Sequence, residues 1–282
     1  MDIRDLTTIP EFREVMILER EIWGYDAANE DAVGIPVFVI TVKRGGILLG
    51  AYDQDRMVGF VYSLAGLKRG VPMQWSHMLG VRDEYRVTGL GRRLKLEQRR
   101  RALDMGISLM EWTFDPLQIL NAHLNLRCLG AIVEEYQLDV YGESHSTLHR
   151  GNPTDRFLAQ WWMRSPRTAR LAGESGAAGA RGAPTRRTDL PVVLHAEQRG
   201  GWAEPSRLML GSTAPELFAC IPGRFTEMLE REQGLAQAWR LASRDVFTHY
   251  LSRGYRAVDF ERDADGGGRY RLSHAPADDV LS

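Results

Sequence analysis

One stretch limits the fold of this chain more than any other. "PMQWSHMLGV" (72–81) is an apolar run of strand length. "RDEYRVTGLG" (82–91) follows it, with Gly89 and Gly91 two residues apart. A helix is predicted over 90–105, with Leu90, Leu94, Leu103 and Met105 among its apolar positions and Gly106 as its stop. "ISLMEWTF" (107–114) then reads as a second, buried strand. A helix between two strands demands parallel or mixed pairing at that place.

The flanking segments fit around this unit. "PEFREVMILEREIW" (10–23) places Phe12, Val15, Met16, Leu18, Ile22 and Trp23 near helical spacing. "GGILLGAYD", a "QD" turn and "RMVGFVYSLAG" read as a β-hairpin. "DPLQILNAHLNLRCLG" is a turn into a helix that ends at Gly130, and "AIVEEYQLDVYG" and "DRFLAQWWM" are strands. The fold class is therefore α/β (α+β), a mixed central twisted sheet flanked by helices.

At 282 residues the chain fits two domains. Residues 165–189 are rich in Gly, Ala and Arg and nearly free of large apolar side chains, which reads as a flexible linker between a domain over 1–164 and a smaller α/β portion over 190–282. In that portion "LPVVLHAE" and "ELFACIP" look like strands and "GLAQAWRLASRDVFTHYLSRG" like one helix stopped by Gly254. "YRAVDFE", a glycine turn and "RYRLS" look like a closing hairpin. "NLRCLGAIVEEYQLDVYG" and "HYLSRGYRAVDFERD" are both a helix ending in glycine and then a strand. Two readings stay open for this echo: a degenerate half-repeat, or a common local pattern that occurs twice.

Composition narrows the partners. A net charge of -1 gives no global reason to expect nucleic acid or an acidic membrane surface. Lys43, Lys68 and Lys95 are the only lysines, so a local arginine cluster is weak evidence of anything. No stretch approaches the roughly 20 apolar residues of a membrane helix. Two cysteines, Cys128 and Cys220, form no metal pattern and suit a reducing cytosol, so no metal is expected and the expected location is cytoplasmic.

Arg86-Val87-Thr88-Gly89-Leu90-Gly91 fits R-x-x-G-x-G between a strand and a helix. A helix start exposes backbone N–H groups and a positive dipole end, and glycines let an anion approach closely. A pyrophosphate suits such a place. Arg92, Arg93 and Lys95 either add charge for a further phosphate or form a solvated helix face; for Arg99, Arg100 and Arg101 the solvated face is favoured. The loop is not a Walker A loop, for no Gly-Lys-Ser/Thr follows, and it lacks the G-x-G-x-x-G spacing of a dinucleotide fingerprint.

"SHMLGVRDEYRVTGLGRRLKLEQRRRALDMG" resembles the central motif of the GNAT superfamily of acyl-CoA-dependent N-acyltransferases. The resemblance extends over most of residues 1–163 and looks greatest toward a bacterial subgroup marked by "WTFDPLQ", "NAHLNL" and a C-terminal "AWRLASRDVFTHYLSRGY". Enzymes similar to this include N-succinyltransferases of amino acids. The resemblance implies an acyl-CoA co-substrate, acetyl-CoA or succinyl-CoA, and a small-molecule amine acceptor. It implies that Leu79, Gly80 and Val81 end a strand that splays from its neighbour and pair with pantetheine amides. It implies that Arg86, Val87, Thr88, Gly89, Leu90, Gly91 and Arg92 wrap the pyrophosphate, and that Asn121 or Asn125 touches the pantetheine arm. The family's usual tyrosine general acid has Leu126 in its place here.

An alkyl amine of pKa about 10.4 is neutral only about once in 2,500 molecules at pH 7, so such a site must remove a proton. His77 is the first candidate base: simple alternation puts it on one strand face with Leu79 and Val81 and puts Ser76 on the other. Asp115 is a second candidate, as a base or an amine anchor; its alternative is a turn residue before Pro116. Glu111 is a weaker third. His145 and His149 read as solvated, Trp161 and Trp162 as core, and Trp23 as helix-end packing or an acceptor wall. Two functions compete: an enzyme that acylates a primary amine, and a CoA-binding module without turnover. Residues 190–282 would complete the site, cap it, or join two subunits as a homodimer.

Overall fold

The computed structural model describes residues 1–24, 32–142, 151–174 and 189–282. In chain order these form β1 (Asp2–Asp5), α1 (Ile9–Trp23), α2 (Ile35–Lys43), β2 (Ile47–Asp53), β3 (Arg56–Lys68), β4 (Val71–Val81), α3 (Leu90–Asp104), β5 (Leu109–Phe114) and α4 (Ile119–Ala122), which runs on into a π-helical stretch, His123–Cys128. They continue with β6 (Ile132–Gln137), β7 (Arg156–Trp162), α5 (Pro166–Ala172), β8 (Val192–Arg199), β9 (Trp202–Leu208), β10 (Glu216–Ile221), α6 (Phe225–Arg231), α7 (Gln233–Leu251), β11 (Arg256–Arg262), β12 (Gly268–Ser273) and α8 (Ala277–Leu281). They group into two compact units, one made of the described residues up to Trp112 and one of those from Thr113 on.

The first unit is a mixed sheet in the order β1-β2-β3-β4-β5. β1 to β4 are antiparallel neighbours, and β5 lies parallel to β4 after the α3 crossover. α1 starts at a capping box, in which Thr8 and Glu11 satisfy each other's backbone N–H groups, and it ends at Gly24 with φ 69°. It buries Phe12, Val15 and Leu18 with Phe38 of α2 against Leu48, Phe60 and Tyr62 of the sheet. α2 has no counterpart in the sequence reading, because its run of β-branched residues lacks helical periodicity; Pro36 in its first turn starts it. α3 packs on the other side, where a Cβ on Gly59 would come within 3.2 Å of Leu94.

The second unit carries the strands β7-β6-β11-β12-β10-β8-β9. β6 and β11 pair antiparallel at Val133 and Ala257, so strands on both sides of residues 175–188 share one sheet. The echo has a structural counterpart. Gly130 (φ 80°) and Gly254 (φ 87°) each end a helix two residues before a strand, β6 or β11. Each of those strands also pairs antiparallel with the next strand in the chain, β7 or β12. β8 turns at Gly200 and Gly201 straight into β9.

The expected linker begins as a helix. Ser165 accepts from Thr168 N at 3.2 Å to cap α5, and Gly173 ends it at φ 83°. Arg167 donates to the carbonyls of Gly130, Leu126 and Val258, and Leu171 lies over Gly130. Arg170 donates to Ser282 O at 2.6 Å, and Thr168 is buried. Composition hides this because a few side chains in a Gly-, Ala- and Arg-rich stretch do the docking. Residues 175–188 lie outside the described residues.

One buried acid sets a pH dependence in the first unit. Glu19 on α1 accepts from Val33 N at 3.4 Å, and its Oε2 has no hydrogen-bond partner among the described residues. Lost hydration pushes its pKa up from 4.5 to about 7. An acid whose folded pKa is raised holds its proton while the unfolded chain releases it. Stability is therefore greatest below pH 4.5 for this group and falls as pH rises toward 7. The full effect is about 3 kcal/mol at most. Glu19→Gln removes this slope and is more stable than the native chain at pH 8, as urea unfolding at pH 5 and pH 8 measures.

Candidate active site

β4 keeps its antiparallel partner β3 from Val71 to Val81. Its parallel pairing with β5 covers only Gln74 with Met110 and Trp75 with Glu111. From Ser76 to Val81, Leu79, Gly80 and Val81 included, β4 runs on with no β5 partner among the described residues. Its β3-facing register also skips a residue: Tyr62 sits opposite Met78, and Ser63 opposite Ser76. His77 is the extra residue of this β-bulge.

The bulge overturns simple alternation. Ser76 faces α3, where its Oγ lies 3.1 Å from Gln98 Oε1. Met78 packs on the α1–α2 core, and a Cβ on Gly80 would come within 2.8 Å of Ile22 of α1. The His77 ring sits edge-on to Tyr62 at 6.0 Å, on the face of Met78 and Gly80 rather than that of Leu79 and Val81. More than a third of His77 remains accessible, yet the protein around its ring removes enough hydration to lower its pKa below 6.5. A neutral imidazole at pH 7 follows, which is the form a general base needs.

The loop after Val81 is anchored at its base and open at its tip. Arg82 N donates to Val58 O at 3.0 Å, Arg82 Nε donates to Met57 O at 2.9 Å, and Arg82 also pairs with Glu21. Tyr85 OH donates to Asp53 Oδ2 at 2.6 Å. Sequence reading missed both anchors, since neither residue carries a spacing signal. Arg86, Val87, Thr88 and Gly89 are exposed. Val87 adopts φ 57°, an uncommon conformation for a β-branched residue. Gly89 follows at φ 86° and caps α3 with no side-chain bond. The first helical donor with a carbonyl is Arg93 N, 3.1 Å from Gly89 O. The N–H groups of Leu90 and Gly91 lie in the first turn, where no intrahelical acceptor exists. A Cβ on Gly89 would meet nothing within 4 Å, so the space over the helix start is open to an anion.

The basic side chains divide differently from expectation. Arg86 pairs with Asp83 at 2.8 Å, and Arg93 is exposed with a bond to Met1 O. Arg92 is half-buried. Lys95 neither joins a phosphate site nor lies in solvent; it is buried against the sheet, as is Arg99. Helical periodicity explains both: positions 90, 94, 95, 98, 99 and 102 form the inward face of α3. Arg100 pairs with Glu97 and Asp104 on the outer surface, whereas Arg101 is half-buried and pairs with Asp5 of β1 as well as Glu97.

Asp115 is not available as a base. It lies in the second unit, where Arg240 of α7 grips both carboxylate oxygens at 2.9 and 2.8 Å and Leu117 N donates to Oδ1 at 2.9 Å. The charge of Arg240 holds its pKa below the usual carboxylate range despite burial. The turn-residue alternative is the one the structure shows. Glu111, in the first unit, is buried and paired with Lys68. Asn121 is exposed and Asn125 buried on the helical segment 119–128 of the second unit. Leu126 is fully buried and offers no proton. Trp161 is core, with its Nε1 donating to Leu129 O, whereas Trp162 is exposed. Trp23 packs edge-on to Phe60. His145 and His149 lie outside the described residues. Among the described residues no cluster of three or more His, Cys, Asp or Glu could hold a metal.

No family model matches the chain, and no curated protein matches it. Solved structures do. An acetyltransferase of the GNAT family from Streptococcus pneumoniae is 19% identical with a TM-score of 0.47, over 56% of this chain and 97% of its own. A ribosomal-protein-alanine N-acetyltransferase from Brucella melitensis is 17% identical with a TM-score of 0.48, over 57% and 98%. Naa50 of Arabidopsis thaliana, bound to a bisubstrate analogue of CoA and a peptide, is 12% identical with a TM-score of 0.44, over 56% and 96%. At this level of likeness the functional reading rests on the chain's own residues.

Asp115→Ala leaves Arg240 buried and unpaired, and lowers stability by about 3–5 kcal/mol. Equilibrium urea unfolding measures it; a loss of activity with unchanged stability would return Asp115 to the catalytic candidates.

Proposed function

We propose that this chain transfers an acyl group, acetyl or succinyl, from acyl-CoA to a primary amine of a small molecule, with amino acids as the first acceptor class to test. The observation that carries the reading is a single run of chain. β4 parts from β5 after Trp75, presents the His77 bulge, and leads into a loop that ends at a helix start without a side-chain cap. The free strand edge at Leu79, Gly80 and Val81 suits an extended, amide-bearing chain, which binds such an edge by strand-type hydrogen bonds. The exposed tip at 86–89 and the first turn of α3 through Arg92 suit a pyrophosphate. These residues would hold acyl-CoA. His77, neutral at pH 7, takes the proton from the acceptor ammonium directly or through water. A backbone N–H at the strand end would stabilise the oxyanion. With Leu126 apolar and buried, the thiolate takes its proton from water or from another group. The same absence supports the second reading, a CoA-binding module without turnover.

Release of CoA thiol from acetyl-CoA and succinyl-CoA across a panel of amino acids and amines separates the two readings. Stoichiometric CoA binding with no thiol release for any acceptor would establish the module. In either case Gly89→Glu and Gly91→Glu, which set bulk and negative charge at the helix start, weaken CoA binding at least tenfold by calorimetry; an unchanged Kd in both sinks the cradle. His77→Ala lowers kcat about 100-fold while the Kd for CoA stays within twofold. The acid limb of kcat/KM has its midpoint below pH 6.5, because His77 must be neutral and its pKa is depressed. Activity is thus full above that midpoint and lost as pH falls through it, and the limb is absent in His77→Ala.

A further inference from the structure

We propose that Lys95, acting through Ser76 and Gln98, is a positioning residue that ties the loop helix α3 to the β4 bulge and so fixes His77; its catalytic importance rests on the acyl-transfer reading. Lys95 lies four residues after Gly91, one turn along the same side of α3. Its Nζ donates to Ser76 Oγ at 2.9 Å and to Gln98 Oε1 at 3.0 Å, and it sits 3.8 Å from the centre of the Trp112 ring. Ser76 Oγ donates to Gln98 Oε1 at 3.1 Å. Lys95, Ser76 and Gln98 are all buried.

The position of this cluster matters because Ser76 is the residue before the bulge. Ser76 faces α3 and Met78 faces α1, so the chain changes face within His77. A strand that regained regular alternation there would turn His77 to the opposite side. Packing of Met78 fixes one end of the face change, and the bond from Lys95 fixes the other.

Stability alone does not account for the cluster. Burial drives the Lys95 amine well below its usual pKa, and Gln98 Nε2 has no hydrogen-bond partner among the described residues. A buried amine costs desolvation that an apolar side chain of similar volume does not. A costly polar group beside the bulge residue points to placement of His77. The same helix carries the exposed loop at its start, so one rigid element sets both the anion cradle and the base.

The test uses the full chain with labelled histidine, following the His77 ring by NMR through a pH titration, with the resonance identified by its loss in His77→Ala. The variants are Lys95→Met, Ser76→Ala and Ser76→Thr, the last keeping the hydroxyl. In Lys95→Met and Ser76→Ala the His77 pKa rises from its depressed value toward the ordinary 6.5. Ser76→Thr keeps the native titration. Thermal midpoints stay level or rise in Lys95→Met, and Ser76→Ala carries the test if Lys95→Met does not fold. With an accepted donor and acceptor, kcat falls at least tenfold in both variants while the Kd for CoA stays within threefold. Native His77 titration in both overturns the proposal, as does equal loss of kcat and CoA affinity. If the native chain releases no thiol but the His77 shift is present, the acyl-transfer reading fails and the positioning role stands.

Discussion

Strand β4 keeps β3 on one side along its whole length and loses β5 on the other after Trp75. Backbone groups need partners, and a strand edge left open inside a mixed sheet is a place built for another chain. The candidate site follows from that parting. The bulge at His77 falls just past the last β5 pair, and the free edge runs straight into the loop and the first turn of α3. The loop base is fixed by Arg82 and Tyr85, and its tip at Val87 and Gly89 is left-handed and exposed. Rigid below and open above is the geometry an anion-binding turn requires.

The first unit accepts several polar groups that a purely stabilising design would avoid. Glu19 is buried with one oxygen unpartnered among the described residues, and Lys95 sits with Ser76 and Gln98 beneath the sheet. Groups of this kind cost stability unless well paired. One lies on the helix that touches Gly80 through Ile22, and the other touches the residue before His77.

The second unit shows the opposite use of charge. Arg240 and Arg244, four residues apart on α7, each grip an aspartate with two hydrogen bonds. Arg240 holds Asp115, in the turn before Pro116, and Arg244 holds Asp155, which also accepts from Tyr136. These two-point pairs, with the Phe157–Phe247–Tyr270 aromatic cluster, fasten α7 to residues of the second unit distant in sequence. They give "WTFDPLQ" and "AWRLASRDVF" a joint structural reason, since Asp115 in the one meets Arg240 in the other.

The sequence by itself determined the strand–loop–helix–strand centre, the hairpin before it, the helix–glycine–strand echo and the R-x-x-G-x-G turn. Each is a local signal, carried by apolar period, glycine position or turn residues, and local sterics decide it. Tertiary structure alone decided the rest. The bulge that turns His77 is a mismatch between two strands, visible only when Tyr62 and Ser63 are set against β4. Asp115 is held in a two-point clamp because its partner lies 125 residues away on α7. Lys95 left the phosphate group because helical phase aims it at Trp112 and Ser76. Pairing across long sequence distances has no local signature, so side chains of identical type can be base, clamp or anchor until packing assigns them.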